Sequence, residues 1–239
     1  SDLDEIIWFG SQPRDEFEKI CRRVIDLYFK KTNYYKINGC PVFMIYELSN
    51  LVRGLGGIDK TREALEYFRT ITKEAGFPGL HLQGVIYSEN AVNISGVDSE
   101  KSGSSKDIVR MLGLDSVTHY QFIHFVDCNR DYLELLPDVQ KEWDRISSEY
   151  NVPYYPHVTI GWDNNPRYNH LTLPIMKNNT PENFKQGLEM AKKYSDEHNE
   201  VPLITINSWN EWTEMSYLEP DDIFGYGYLE AVRDVFCDK

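Results

Sequence analysis

The sequence predicts an α/β fold of (β/α)-barrel type, and three observations carry that expectation. Apolar, β-prone runs begin near positions 41, 80, 117, 154 and 202; a helical pattern separates each from the next; and the long polar loops lie mostly after the strands. Parallel α/β folds place their sites at the carboxyl ends of strands, so the loops after the strands are where function is sought.

Each element has its own justification. Arg14 to Lys31 repeats Phe17, Ile20, Cys21, Val24, Ile25, Leu27 and Tyr28 near helical spacing among charged neighbours. Asn38-Gly39 marks a turn, and Pro41-Val-Phe-Met-Ile-Tyr46 reads as a buried strand. Lys60 to Ala75 is helical, with Gly76 and Pro78 as stop signals before the strand Leu80 to Tyr87. Residues 88 to 105, rich in Ser, Asn and Gly, read as loop. Beyond them come a short helix from Lys106 to Leu112, a weak strand from Val117 to Phe122, a helix from about Asp138 to Tyr150, and a strand from Tyr154 to Gly161. A helix opened by Thr180-Pro181-Glu182, the strand Pro202 to Asn207 and a helix from about Tyr226 to Phe236 complete the pattern.

Five strands are too few to close an eight-stranded barrel, which takes about 250 residues over eight units. Residues 1–239 are therefore expected to form one barrel-type catalytic domain of which about the last five β/α units are visible, with its N-terminal units lacking. An unpaired sheet edge in such a piece invites association.

Composition narrows the partners. A formal net charge of −13 argues against a nucleic-acid surface, which needs clustered Lys and Arg. No apolar run approaches 18 residues, so no membrane span is expected. Cys21, Cys40, Cys128 and Cys237 lie too far apart for a CxxC pair, and His81, His119, His124, His157, His170 and His198 show neither HxH nor HExxH spacing. No metal is expected, and His119 and His157 read as polar groups of the core. Neither GxGxxG nor GxxxxGK[ST] follows a strand, which removes the main support for dinucleotide and P-loop readings, and no organic cofactor is implied. Asn93-Ile-Ser95 and Asn178-Asn-Thr180 match the glycosylation triplet, which has meaning only in a eukaryotic secretory setting.

The stretch Ile206-Asn-Ser-Trp-Asn-Glu-Trp-Thr-Glu-Met-Ser-Tyr-Leu-Glu-Pro220 drives acids and aromatic rings out of the end of a strand. If the chain turns after Trp212, Glu211 and Glu214 face the same side, as a pair that can divide acid and base work on a glycosidic bond. Trp209, Asn210, Trp212, Tyr217 and Glu219 would shape a sugar pocket around them; the bland alternative is a capping cluster or a solvated acidic loop. Gly161-Trp-Asp-Asn-Asn-Pro-Arg167 ends the preceding strand similarly. Trp162 could stack on a pyranose face while Asp163 and Arg167 bind hydroxyls, against an Asx turn with a surface ion pair. Tyr46-Glu47 and Tyr87-Ser88-Glu89 also end strands, where a single acid is as often a loop charge.

Trp209-Asn-Glu-Trp-Thr-Glu214, followed by Ser216-Tyr-Leu-Glu-Pro-Asp221 and Gly225-Tyr-Gly-Tyr-Leu-Glu230, resembles the WbsX-type group related to glycoside hydrolase family 99. Gly161-Trp-Asp-Asn-Asn-Pro-Arg167 and Cys40-Pro-Val-Phe-Met-Ile-Tyr46 fit that group in order and position. The resemblance implies a (β/α)8 TIM barrel acting on a polysaccharide or glycan without cofactor; the compartment is left undetermined by the sequence, with the bacterial cytoplasm or cell envelope as the expectation. It implies a retaining, endo-α-mannosidase-like reaction in which Glu211 draws the proton from the sugar 2-hydroxyl and Glu214 protonates the leaving oxygen. It also leaves two other readings open: a glycosyltransferase of surface-polysaccharide synthesis, and a non-catalytic glycan-binding remnant. Three residues depart from the group's pattern: Thr213 where the hydrolases have His, Met215 where both groups have Gly, and Glu47 where the WbsX group commonly has Arg.

Overall fold

In the computed structural model, residues 10, 12–87 and 104–237 are described. The chain divides into two compact units, one of residues 1–85 with 89–116 and one of residues 86–88 with 117–239.

The first unit opens with α1 (Arg14–Val24), which runs on as one wide helical turn over Ile25–Phe29. A short antiparallel pairing of β1 (Lys36–Ile37) with β2 (Cys40–Ile45) turns on Asn38 and Gly39, both with positive φ. Helices α2 (Leu48–Leu55) and α3 (Ile58–Glu74) follow, and β3 (His81–Val85) lies parallel to β2 with Val42 opposite His81. Phe29 stacks on Phe68 at 5.8 Å while Phe17 and Phe43 meet Phe68 edge-on, so the core forms where the α1 and α3 apolar stripes face the sheet. Arg69 locks the far end, donating to the carbonyls of Leu80 and Gly113 and to Asp115 at 2.6–2.8 Å. After α4 (Ser105–Leu112), Asp115 leads into β4 (Ser116–Thr118), whose last two residues belong to the second unit.

In the second unit α5 (Tyr132–Glu149), β5 (His157–Thr159), α6 (Pro181–His198), β6 (Thr205–Asn207) and α7 (Gly227–Phe236) repeat the strand–helix alternation. Between β6 and α7 stand two short strands, β7 (Asn210–Glu211) and β8 (Ser216–Tyr217), paired antiparallel. Val117 bridges Tyr154 in the parallel sense, and β5 and β6 run parallel with Val158 opposite Ile206. Trp143, Tyr154 and Tyr194 pack together beneath them, and Tyr132 donates through its hydroxyl to the Thr159 carbonyl at 2.8 Å.

The alternation expected from the sequence is present and the fold is α/β. Among the described residues the strands form open sheets rather than a closed eight-stranded barrel. The strands are shorter than the apolar runs: β5 keeps only 157–159 of 154–161, and β6 only 205–207 of 202–207. Of the run 117–122 only 117–118 is strand, in β4; Gln121 instead accepts from the Phe122 N–H and opens a 3-10 turn. Helix α5 starts at Tyr132 rather than near Asp138, carrying Pro137 in its second turn, and α2 was not foreseen. Residues 88–103, with Glu89 and the Asn93 triplet, lie outside the described set, as do 1–9. No helix among the described residues is long and apolar enough to cross a membrane, and the four cysteines are free.

Two inward-facing histidines show what burial does to charge. His119 shares a 2.8 Å hydrogen bond with the Tyr154 hydroxyl and His157 one of 2.8 Å with Thr205; neither Nε2 atom has a hydrogen-bond partner, that of His119 standing 3.8 Å from Glu142 Oε1. Burial holds His119 well below the usual imidazole range, and it takes His157 down to about 3. Because the folded state refuses a proton that the unfolded chain accepts, stability is complete above pH 6.5 and is lost as pH falls from there toward about 3. Acid titration of unfolding free energy should decline through that window by an amount on the order of a few kcal/mol, and His157→Gln should flatten the decline.

Helix α6 approaches β5 closely at Gly187, where a Cβ would lie 2.7 Å from the Tyr132 hydroxyl and 3.3 Å from Val158. Gly187→Ala gains about 1 kcal/mol of helix propensity but forces overpacking worth about 1–3 kcal/mol. Urea unfolding is expected to record a net loss of stability, and an unchanged or raised midpoint would contradict the close approach.

Candidate functional site

The site grows out of the carboxyl ends of β5 and β6. Leaving β6, Asn207 is fully buried and ties three segments together: its carbonyl accepts from the Ile160 N–H at 3.1 Å and from the Ser216 hydroxyl at 2.9 Å, and its side-chain oxygen accepts from Gln121 at 2.8 Å. The β7–β8 hairpin then projects outward. Its tip, Trp212–Glu214, is a single 3-10 turn closed by Met215 in the left-handed region, φ 52° and ψ 38°.

That turn brings the two glutamates to one cation. Arg167, at the end of a short 3-10 turn after β5, places Nη2 2.9 Å from Glu211 Oε1 and Nη1 3.0 Å from Glu214 Oε1, while its Nε donates to the Thr213 hydroxyl at 2.9 Å. Thr213 in turn donates to Glu211 Oε1 at 3.0 Å. The environments of the two acids differ. The Glu211 side chain keeps 35% of its exposure, that of Glu214 only 12%, and Glu214 Oε2 is buried without a hydrogen-bond partner. Burial pushes the Glu214 carboxyl above its ordinary range, with Arg167 opposing the rise, the neighbouring Glu211 charge adding to it and the Gln121 side chain opposing it more weakly.

The aromatic residues divide into fixed and open ones. Trp212 stacks on Tyr217 with centroids 3.8 Å apart, and its indole N–H donates to Glu219 Oε2 at 2.7 Å, so one face and one edge are committed while 41% of the residue stays exposed. Tyr217 is buried, and its hydroxyl is pushed up to about 12 by that burial and by Asp221 and Asp222. Trp209 is 54% exposed, and Asn210 lies beside it opposite Tyr217 on the hairpin.

The profile of the family described as Glycosyltransferase WbsX matches residues 5–232. The chain belongs to this WbsX family. Two proteins of Xanthomonas campestris pv. campestris, strains B100 and ATCC 33913, each described as Uncharacterized protein WxcX, are 32% identical over 105 residues, covering 43% of this chain and 14% of theirs. A solved structure described as a glycoside hydrolase-like protein matches with a TM-score of 0.64 at 17% identity, covering 94% of this chain and 61% of that one. The GH99 endo-alpha-mannosidase of Bacteroides thetaiotaomicron matches with a TM-score of 0.59 at 15% identity over the same shares. At such identities the likeness concerns the fold. The WbsX chain thus spans about one seventh of its curated relatives (14%) and 61% of these structures.

Not every residue expected at the WbsX site is free to serve it. Asp163 Oδ1 accepts from the backbone and side-chain N–H groups of Asn165, an Asx turn, and its own N–H donates to the Glu214 carbonyl at 2.9 Å. Its carboxylate mainly shapes the loop. Trp162 is half-buried and its carbonyl accepts from Met176. Glu219 holds Trp212. In the first unit, Glu47 caps α2 by accepting from the Ser49 N–H at 2.9 Å, and exposed Tyr46 precedes it. The sequence reading did not include Thr213 or Gln121 among the site residues. Gln121 was hidden by its assignment to a strand; Thr213 could have been found from its place between two glutamates. Among the described residues no group of His, Cys, Asp and Glu could hold a metal ion.

Met215 tests the hairpin's geometry. A left-handed φ costs an L-residue roughly 1–2 kcal/mol, and a β-branched side chain more. Met215→Val should lower stability by about 1–2 kcal/mol, whereas Met215→Gly should stay within about 1 kcal/mol of the parent; thermal melts of the two variants separate these outcomes.

Proposed function

We propose that this chain carries the reacting carboxylates of a carbohydrate-active enzyme, a retaining, endo-α-mannosidase-like glycoside hydrolase acting on a polysaccharide or glycan. The observation behind the reading is the inequality of the two glutamates: one half-exposed and doubly hydrogen-bonded at Oε1, the other buried with an unpartnered oxygen. Two carboxyl groups whose surroundings push their protonation apart suit acid and base roles. In this reading the Glu211 carboxylate takes the proton from the sugar 2-hydroxyl as O2 attacks the anomeric carbon, and protonated Glu214 gives its proton to the departing glycosidic oxygen. A 1,2-anhydro sugar results. Water then opens it, with Glu214 receiving the water proton and Glu211 returning its own to O2, so retention follows from two displacements. Trp209 and the open face of Trp212 supply apolar surface for sugar rings, with Asn210 beside them to hydrogen-bond hydroxyls.

The family's description as a glycosyltransferase supports a second reading, in which the chain would transfer sugar from a nucleoside diphosphate donor to a polysaccharide acceptor. Incubating the full-length protein with defined α-mannosides and with nucleoside diphosphate sugars plus acceptor separates the two by product. Glu214→Gln is expected to reduce hydrolysis by about 100-fold or more; undiminished release of reducing sugar by that variant would remove Glu214 from the mechanism.

A further inference from the structure

Trp212 is held in a way that a surface side chain does not need. One face lies on Tyr217 with centroids 3.8 Å apart and 23° between the planes, and the indole N–H donates to Glu219 Oε2 at 2.7 Å, yet 41% of the residue stays exposed. An indole N–H at that exposure can donate to water instead, so the bond to Glu219 adds little to stability. What it adds is orientation. A stacked ring can slide and turn in its own plane, and a hydrogen bond at one edge stops both.

The clamp is built from the backbone upward. The N–H groups of Leu218 and Glu219 both donate to the Trp209 carbonyl at 3.0 Å, which ties the segment after β8 to the root of the hairpin. Pro220 follows Glu219, and a residue before proline is kept out of the helical region, so the segment leaves the hairpin extended with the carboxyl beside the tip. Beneath Trp212, the buried Tyr217 meets Tyr228 edge-on at 6.4 Å, and Tyr228 meets the fully buried Phe184 of α6 edge-on at 5.7 Å. The support for the indole therefore runs into the packing of α6 against α7.

We propose that Glu219 is a positioning residue: with Tyr217 it fixes the open face of Trp212 as a preformed stacking platform for one sugar ring of the glycan, a ring that presents an unbroken face of C–H bonds. Glu219 does not itself bind the sugar. A ring already fixed in place loses little freedom when a ligand settles on it, so its apolar area is converted to affinity more fully. The inference rests on the glycan reading above for its ligand, and it requires no particular reaction.

A double-mutant cycle in the full-length protein tests it by calorimetric glycan binding, the probe being the tightest binder among defined α-mannosides and bacterial polysaccharides. Glu219→Ala is expected to weaken binding roughly 2- to 10-fold, the cost of ordering one side chain at the moment of binding; Glu219→Gln, whose amide oxygen can still accept, should lose less. Glu219→Met, of similar length but without the acceptor, takes the place of Glu219→Ala if that variant does not fold. In a Trp212→Phe background, where no indole N–H remains, the same change at Glu219 should alter binding by less than about 2-fold. An equal loss in both backgrounds would overturn the proposal, because Glu219 would then be a sugar ligand or a general support of the hairpin. The Trp212 indole N–H resonance, identified by its loss in Trp212→Phe, gives a readout without ligand: Glu219→Ala should shift it and speed its hydrogen exchange, and an unmoved resonance would overturn the clamp. Where glycan is turned over, the loss should appear in KM rather than kcat. Binding without turnover sinks the hydrolase reading and leaves the cycle to decide the platform, whereas a parent protein that binds none of the glycans sinks both.

Discussion

The site depends first on a buried polar knot at Asn207. Gln121, Gly161, Asn207 and Ser216 come from three separate stretches of chain, and they meet through hydrogen bonds of 2.8–3.3 Å in a place closed to water. Each such bond contributes only about 1 kcal/mol net, but leaving one buried partner unsatisfied costs about 1–3 kcal/mol, so the knot is worth more as a constraint than as a sum. Apolar packing could hold these segments together without specifying their register. Directional bonds fix the register, and with it the exit angle of the β7–β8 hairpin. Gly161 is required there by space, since a Cβ would meet the Asn179 side chain at 2.4 Å and the Met215 carbonyl at 2.5 Å.

From that exit follows the crowding of charge. A one-turn hairpin tip cannot carry Glu211 and Glu214 far from each other, and the β5 connection delivers Arg167 to the same point because the Asp163 N–H is bonded to the Glu214 carbonyl. The backbone bond and the ion pairs are therefore one assembly: the first sets the spacing and the second makes the spacing tolerable. The aromatic shelf obeys the same logic. Tyr217 sits on β8 directly across from Asn210, so its ring underlies Trp212, and Glu219 holds the indole edge.

Much of this was legible in the sequence, and the reason differs by feature. The strand–helix alternation was readable because short apolar, β-prone runs surround the strands and each helix has an apolar stripe. Helix α5 was misjudged at its start because Pro137 reads as a stop, yet in the second turn Pro removes one N–H while Tyr132, Leu135, Leu136 and Val139 continue the buried face. Glu211, Glu214 and Arg167 were readable as a group from strand-end position and residue type. Their division of contacts was not, since nothing in spacing tells whether an arginine 44 residues away in sequence bridges two acids or binds one. Nor does spacing reveal that Asp163 and Glu47 are already spent on backbone N–H groups.

That last distinction gives a physical criterion for choosing among acids in a chain with 38 of them. Carboxylates at strand ends can engage nearby backbone donors, as Asp163 and Glu47 each do through one oxygen, and that oxygen is committed to a turn or a cap. Glu219 is committed differently, to an indole. Glu214 makes no close hydrogen bond through its second oxygen, although burial makes that omission expensive and the Gln121 amide is near enough to favour its charge, and a cation reaches its first oxygen. An expensive vacancy of that sort persists in a folded chain when something other than stability selects for it. Asp221 shares the feature of a buried oxygen without a partner, but only Glu214 shares a cation with a second acid, so the pair on Arg167 is where chemistry is to be sought first.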